Sequence, residues 1–411
     1  MPLSFLLSLV GCLFFAVYGG LIAWYHRAWT GIPVFVPCRT EGYQTRITVL
    51  VPARNEEENI GNCLQSLAAQ SYPRGLFEVI VIDDHSTDDT AAIVKEFAVA
   101  GPLAGTTLAR PLADSAVADA PLAVRYLPLA EEPRQGTLTA HKKFAIETGV
   151  ARATGELIVT TDADCLFDPD WLLTLAACYE ENGAKFIAAP VRIGGMSSWG
   201  RQHSLLSVFQ TLDFITLQGI TGAAVYKRVH SMCNGANLAY AKEAFLEVGG
   251  FQGIDQIPSG DDMLLMHKIF LRYPDRVFFL KRRQAIVSTR PETRWKGFFH
   301  QRVRWASKAD RYDDKRIFWV LLLVYLVNGL FLLSAIAACW DRWWGFLCLM
   351  LLVVKTLVEY PFVSEVAAFF GQRKLMAWFP ALQPLHIGYT LVVGWLGKFG
   401  SYRWKDRIIS K

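Results

Sequence analysis

Two uncharged stretches of membrane length bracket the rest of this chain. Leu3 to Tyr25 carries no charge, and Phe318 to Cys339 is a second uncharged span. Each is long enough to cross a hydrocarbon core of ~30 Å as a helix. The roughly 275 residues between them read as ordinary globular sequence, enough for one large domain or two small ones. Two further apolar stretches follow. Trp343 to Phe370 is interrupted by Lys355, Glu359, Pro361 and Glu365, and Phe379 to Leu396 holds Pro380, Pro384 and His386. This segregation accounts for a chain that is 52% hydrophobic and only 19% charged, too apolar for an ordinary soluble protein and too polar for a polytopic transporter.

The first span could be a signal peptide, but its positive flank, His26-Arg27, follows the apolar run and nothing basic precedes it. That order predicts an anchor with its N-terminus outside and the globular part in the cytoplasm. The net charge of +5 suits a surface near anionic lipid headgroups. No basic cluster with interleaved aromatics is present, so nucleic acid is not an expected partner. Eight cysteines are scattered without a Cys-x-x-Cys pair, which argues against a zinc ribbon or redox dithiol and for a reduced compartment. The expected organisation is an anchor over 1–27, a cytoplasmic domain over 40–315, membrane segments over 316–397 and a basic tail over 398–411. A full crossing by Phe379 to Leu396 would put Lys398, Arg403, Lys405, Arg407 and Lys411 outside, against the positive-inside tendency. Pro380 and Pro384 would also disturb a straight helix. That segment is therefore expected to be re-entrant or interfacial, with a cytoplasmic C-terminus.

Within the globular part, Thr45 to Val51 reads as a strand, followed by a loop Pro52-Ala53-Arg54-Asn55-Glu56 and a helix from about Glu57 to Gln70. Phe77 to Ile82 is a buried strand ending in Asp83-Asp84, and Thr87-Asp88-Asp89 caps a helix carrying Ile93, Val94 and Phe97. Near-continuous apolar strands alternating with helices predict a mostly parallel sheet covered on both faces. Gly101 to Leu122 reads as an inserted surface loop, and Val124 to Leu127 as a short strand. His141 to Ala153 reads as a helix, Leu157 to Thr160 as a strand, Trp171 to Asn182 as a helix and Phe186 to Pro190 as a strand. Helices are expected over Ser198 to Gly219 and Asp262 to Tyr273, with a loop over Gly249 to Gly260. Trp295 to Lys308 reads as an amphipathic helix able to lie along a membrane surface.

Four motifs carry chemistry. Asp83-Asp84 follows a strand, where ligands of open α/β sheets bind; either carboxylate could accept hydrogen bonds from a base or ribose, or simply cap the next helix. Asp162 and Asp164 share a face if their stretch is extended, and two hard oxygen ligands suit Mg2+ or Mn2+ bridging a diphosphate. Gly260-Asp261-Asp262 starts a helix whose dipole keeps a carboxylate ionised. One aspartate could serve as general base while Asp261 caps the helix. Gln301, Arg304 and Trp305 combine an amide, a guanidinium fork that could clamp a diphosphate and an aromatic face for a sugar ring. An interfacial Arg-Trp belt would look the same. Lys142 or Lys143, about twenty residues before Asp162, could reach phosphate oxygens. His203, His230 and His300 are isolated and carry no expected ligand role.

Taken together, Val49-Leu50-Val51-Pro52-Ala53-Arg54-Asn55-Glu56, Val81-Ile82-Asp83-Asp84-His85-Ser86-Thr87-Asp88, Thr161-Asp162-Ala163-Asp164, Gly260-Asp261-Asp262 and Gln301-x-x-Arg304-Trp305 resemble the family 2 glycosyltransferases. The membrane-bound branch is the nearer match, as in cellulose, hyaluronan and poly-N-acetylglucosamine synthases and the ceramide glucosyltransferases. The resemblance covers about Thr45 to Lys308. It implies a GT-A fold and an inverting transfer from a nucleotide-diphosphate sugar to a lipid or glycan hydroxyl, at the cytoplasmic face of the cell (inner) membrane. On that match Pro52, Arg54, Glu56, Asp83, Asp84 and Lys142 would line the donor nucleotide. Asp162 and Asp164 would bind metal and diphosphate, and Asp262, beside Asp261, would be the base. Gln301, Arg304 and Trp305 would line the donor and acceptor site. Processive synthases usually carry Thr-Glu-Asp where this chain has Gly-Asp-Asp, and usually have more membrane helices. Both differences favour a lipid acceptor, or a synthase that needs a membrane partner protein. A processive polysaccharide synthase and a non-catalytic nucleotide-sugar-binding scaffold are the alternatives.

Overall fold

The structure is a computed structural model and describes residues 3–101, 122–132, 140–194, 204–229, 232–257, 260–307, 315–399, 402–404 and 407–409. The chain divides into two compact units: Ile32–Arg201 with Ala224–Arg290, and Met1–Gly31 with Gln202–Ala223 and Pro291–Lys411.

The first of these is built on a seven-stranded sheet. Its elements run β1 (Ile47–Ala53), α2 (Ile60–Ala68), β2 (Phe77–Asp83), α3 (Thr90–Ala100), β3 (Ala123–Pro128), α4 (His141–Arg152), β4 (Leu157–Thr160), β5 (Cys165–Leu166), α5 (Trp171–Asn182), β6 (Phe186–Ala188), β7 (Val191–Ile193), β8 (Leu238–Ala241), α7 (Lys242–Glu247), α8 (Met263–Arg272), β9 (Val277–Phe279) and β10 (Val287–Thr289). The strand order is β3-β2-β1-β4-β8-β6-β9. The first four strands are parallel; β8 runs antiparallel to both neighbours, β4 and β6. The order 3-2-1-4 places a topological switch point between β1 and β4, the crevice where open α/β sheets bind ligands.

β1, β2 and β4 are rich in Val, Ile and Leu and buried along nearly their whole length, as strands covered on both faces must be. β1 continues through Pro52 to Ala53, two residues beyond the expected strand end. Proline is tolerated there because the last pair with β4 is Leu50 with Thr160, so past that point the strand has a free side. A second sheet, β5-β10-β7, has only two or three residues per strand. Asn237 ties these layers together: its Nδ2 donates to the carbonyls of Pro190 and Ala285, each at 2.8 Å, and its Oδ1 accepts from Trp171 Nε1 at 3.0 Å. The expected strand over Phe186 to Pro190 stops at Ala188 as β6, and a separate strand, β7, begins at Val191 just past the bond to Pro190. Nearly all of the expected loop over Gly101 to Leu122 lies outside the described residues, as do Ser198 to His203, His230 and Lys308.

The other unit is helical: α1 (Leu3–Gly31), most of α6 (Leu205–Tyr226), α9 (Trp295–Ala306), α10 (Lys315–Ala337), α11 (Arg342–Phe369) and α12 (Phe379–Phe399). Among the described residues, three helical stretches are long and apolar enough to cross a membrane: Leu9–Gly31, Arg316–Ala337 and Arg342–Phe369. α1 and α11 run in the same direction, with Tyr25 against Phe362 and Trp29 against Phe369. The charges that interrupt the third apolar stretch do not break it, and α11 is one helix of 28 residues. Lys355 and Glu359, one turn apart, pair at 2.6 Å. Lys355 Nζ donates to Gln383 Oε1 at 2.7 Å, and Gln383 Nε2 donates to Glu359 Oε2 at 2.7 Å. The Tyr18 hydroxyl closes the group on Glu359 Oε1. Lys355 is fully buried, and only such mutual satisfaction makes a buried charge tolerable. α12 likewise runs on through Pro384. Pro380 sits in its first turn, where a missing N–H costs nothing.

Candidate active site

The site gathers at the C-terminal ends of β1, β2 and β4. Ala53 and Asp83 are register partners, so the loops after β1 and β2 leave the sheet side by side. Both pass through the left-handed region, at Asn55 (φ 51°) and His85 (φ 60°), a conformation that non-glycine residues rarely adopt. Cross-loop bonds hold them there. Asn55 N–H donates to Ser86 Oγ at 3.0 Å, and Asn55 Oδ1 accepts from Thr87 N–H at 2.9 Å. Arg54 Nη1 donates to the Asp84 carbonyl at 2.7 Å, and Glu56 N–H to Thr90 Oγ1 at 2.8 Å.

Asp83 and Asp84 are both buried. Asp83 accepts from Ser86 N–H at 3.0 Å and from the Tyr126 hydroxyl at 2.7 Å. Burial pushes the Tyr126 phenol pKa up, and the hydrogen bond to Asp83 pushes it further. Asp84 Oδ1 lies 3.0 Å from His85 Nδ1 and 3.6 Å from His141 Nδ1. Neither residue caps the next helix; that position belongs to Asp89.

Asp162 and Asp164 are not presented by an extended stretch. The chain turns after Thr160, and Cys165 N–H donates back to the Asp162 carbonyl at 3.2 Å. A turn, rather than strand alternation, thus presents the two carboxylates. Asp164 Oδ2 accepts from Thr289 Oγ1 on β10 at 3.0 Å. The Asp162 side chain is 42% exposed, and its Oδ1 accepts from Lys142 Nζ at 2.8 Å.

Lys142, in the first turn of α4, links two motifs more than ninety positions apart, because its ammonium also lies 3.4 Å from Asp261 Oδ2. Burial opposes its charge, but the carboxylates of Asp162, Asp261 and Asp262 outweigh burial and hold it protonated above the usual lysine range. Lys143 points elsewhere. It is buried and donates to the carbonyls of Ile254 and Ile257 at 2.6 and 2.8 Å.

The helix cap at α8 is Asp262, not Asp261. Asp262 Oδ1 accepts from Met263 N–H at 2.8 Å, and Oδ2 accepts from Gly235 N–H at 3.2 Å. Gly260 enters this turn at φ +80°, which favours glycine. That leaves Asp261 turned toward Lys142. Gly235 is a site residue that lies outside all four sequence motifs. A Cβ there would sit 3.1 Å from Lys142 Nζ and 3.3 Å from Asp261 Oδ2, so a side chain at this position would press on that ion pair. The turn signal Asn234-Gly235 is the available clue.

Among the described residues no three His, Cys, Asp or Glu side chains converge on a metal position. The donor set that fits a hard divalent ion is the carboxylate pair Asp162 and Asp164, with ligand phosphate oxygens completing the shell.

Gln301, Arg304 and Trp305 all lie on α9, in the helical unit. Arg302, between them, is the larger surprise: it is 2% exposed, and its Nε donates to Asp213 Oδ2 on α6 at 2.9 Å. His300 is exposed on the same helix.

A family model described as "Glycosyltransferase like family 2" matches residues 45–307. The chain is 26% identical over 266 residues to the probable glycosyltransferase YdaM of Bacillus subtilis, covering 64% of this chain and 54% of that protein. It is 23% identical over 278 residues to the poly(ribitol-phosphate) beta-N-acetylglucosaminyltransferase TarS of Staphylococcus aureus, covering 68% of this chain and 40% of that one. A shorter match, 29% over 134 residues, is to the beta-monoglucosyldiacylglycerol synthase of Nostoc, covering 33% and 23%. The chain thus spans about half or less of the length of these curated relatives. Among solved structures, the mannosyltransferase PcManGT of Pyrobaculum calidifontis, in complex with GDP-Man and Mn2+, matches with a TM-score of 0.56 at 21% identity. That match covers 92% of this chain and 99% of that one. At this identity the likeness carries the fold, and the fold agrees with the mostly parallel GT-A sheet expected from the sequence. The family match covers the sheet and all four motifs, and the chain belongs to glycosyltransferase family 2.

Proposed function

We propose that this chain transfers a sugar from a nucleotide-diphosphate sugar to a hydroxyl of a lipid or glycan, with inversion, at the cytoplasmic face of the membrane. The observation that carries the reading is Lys142. One ammonium joins Asp162 after β4 to Asp261 before α8, so the diphosphate motif and the base motif form one site at the mouth of the sheet. The stitched loops after β1 and β2, with Pro52, Arg54, Glu56, Asp83 and Asp84, form the wall for the nucleoside. Asp162 and Asp164 hold Mg2+ or Mn2+, which when bound neutralises charge on the leaving diphosphate. Lys142 presents a fixed positive charge beside the same oxygens.

Asp262 is the base in this reading. Its two bonds to backbone N–H groups fix the carboxylate, and each oxygen keeps a lone pair to take the acceptor proton. Gln301, Arg304 and Trp305 line the donor and acceptor site. Support comes from the relatives: the mannosyltransferase holds GDP-Man and Mn2+, and the Nostoc relative makes a glucosyldiacylglycerol. The catalytic domain over 40–315 and the segments over 1–27 and 316–397 are proposed as the working division.

The proposed topology draws support from the helical unit. α10 and α11 join at the turn Ala338–Asp341, so depth can be counted from there. Gln383 bonds Lys355 and Glu359, which at ~1.5 Å per residue lie roughly 20–25 Å along α11. A Cβ on Gly394 would lie 2.9 Å from the Tyr325 ring, roughly 18 Å back along α10. The two contacts sit at nearly one level, although the helix between them measures ~16 Å. These contacts support reading α12 as an interfacial helix, with the C-terminus in the cytoplasm.

The test is release of nucleoside diphosphate from a panel of nucleotide sugars in membranes containing the protein, with lipid extracts as acceptors. Asp262→Asn should lower turnover at least about a hundredfold with donor binding kept. A crippled Asp261→Asn beside a healthy Asp262→Asn would move the base to Asp261. Product sizing separates a single transfer from a polymer.

A further inference from the structure

We infer that Arg302 is a positioning residue that sets the amide of Gln301, so that Gln301 meets its ligand as a hydrogen-bond donor. The inference rests on the reading above, in which Gln301 lines the transfer site.

Arg302 is an unusual residue to bury. It is 2% exposed, and its partner Asp213 is 9% exposed. Its Nε donates to Asp213 Oδ2 at 2.9 Å, and Nη2 approaches the same oxygen at 2.9 Å without hydrogen-bond geometry. Aromatic rings enclose the guanidinium: its carbon lies 4.1 Å from the Trp305 ring centroid and 4.8 Å from that of Phe298. Apolar residues of like volume often fill such a place at no loss of stability, so stability alone does not explain a charge there.

The remaining contact does. Arg302 Nη1 donates to Gln301 Oε1 at 2.9 Å. A guanidinium offers donors only, whereas a glutamine amide offers oxygen at one end and NH2 at the other. Turning the amide over would set NH2 against the guanidinium, donor against donor. Arg302 therefore fixes Oε1 inward and leaves Nε2 as the end offered from the half-buried Gln301. Such an end matches an acceptor oxygen, of a phosphate or a sugar hydroxyl. Asp213 holds the guanidinium in place, so α6 takes part in aiming a side chain on α9.

A double-mutant cycle separates this role from a purely structural one. Transfer is measured in membranes for the wild type, Gln301→Ala, Arg302→Lys and the double variant, with protein level and thermal midpoint recorded for each. Lysine keeps the charge opposite Asp213 but lacks the planar fork that serves Asp213 and Gln301 together. Each single variant should lose about tenfold or more in kcat. The double variant should fall no further than about twofold below Gln301→Ala. If the two losses multiply, Arg302 acts independently of Gln301 and the inference fails, while the site reading stands. If Gln301→Ala turns over like the wild type, the site reading itself fails at Gln301. Should Arg302→Lys not accumulate, Gln301→Glu gives the answer. Its carboxylate satisfies Arg302 but presents an acceptor outward, so it should be worse than Gln301→Ala; activity equal to the wild type would overturn the inference.

Discussion

A single ammonium organises the candidate site at the residue scale. Lys142 pairs with Asp162 and Asp261 together. Burial works against its charge, but the surrounding carboxylates raise its pKa. A raised lysine pKa means that these ion pairs are intact below the usual lysine value of ~10.4 and are lost only as pH climbs past the folded value. A change in turnover between pH 6 and 9 must therefore be assigned to another group. Asp162 and Asp164 are open to a direct test. Asp162→Asn or Asp164→Asn should abolish transfer while the protein still accumulates in membranes, and EDTA should do the same reversibly. Full activity in EDTA would remove the metal role. The sequence named Asp162 and Asp164 because carboxylates after an apolar strand are visible in one dimension, and Asp261 and Asp262 because they open a helix; Lys142 was one of two adjacent lysines within reach of phosphate. It could not show that Asp262 rather than Asp261 caps α8, since adjacent aspartates look alike until the backbone turn at Gly260 is known. Arg302 was hidden for a similar reason: it is held in place by Asp213, 89 positions away.

At the element scale, the long apolar strands were readable and the short ones were not. β1, β2 and β4 are near-continuous runs of branched residues, and their parallel pairing follows from strand-helix alternation. β8 (Leu-Ala-Tyr-Ala) and the two- or three-residue strands β5, β7 and β10 have too few positions to show a period. Their existence depends on distant partners. Glu78 at the start of β2 shows how such partners are fixed. It accepts from Thr48 Oγ1 at 2.8 Å, Thr154 N–H at 2.7 Å and Thr154 Oγ1 at 2.8 Å, and pairs with Arg125 at 3.4 Å. It thereby joins β1, β2, β3 and the turn before β4. Burial resists its ionisation, but Thr154, Thr48 and Arg125 together hold its pKa below the ordinary glutamate value. A lowered carboxylate pKa gives stability that is present above the unfolded value of ~4.3 and is lost as pH falls through the folded one. Glu78→Gln should cost about 1–3 kcal/mol at pH 7, read as a lower thermal midpoint in detergent. The gap to the wild type should close as pH falls below about 4. A gap that stays constant down to pH 3 would show that the charge contributes nothing.

For the whole molecule, the proposed arrangement is three crossings and one in-plane helix. A C-terminal reporter pair checks it: a fluorescent green fluorescent protein fusion and an inactive alkaline phosphatase fusion are expected. Strong phosphatase activity with a dark fluorescent fusion would mean that α12 crosses and the tail lies outside. The apolar spans were plain in the sequence, whereas the continuity of α11 through Lys355, Glu359 and Pro361 was not, because Gln383 and Tyr18 satisfy those charges from elsewhere in the chain. The bond from Tyr18 to Glu359 also sets a timetable. Its partners are 341 residues apart, and a ribosome adding about 5–20 residues per second needs on the order of half a minute to join them. In the proposed topology α1 waits in the bilayer through that interval with its tyrosine unmatched, while the whole sheet-bearing unit is made. The helical unit thus closes only after the sheet-bearing unit has been made, and a newborn chain stalled before Gln383 would carry every strand of the sheet beside an unmatched Tyr18.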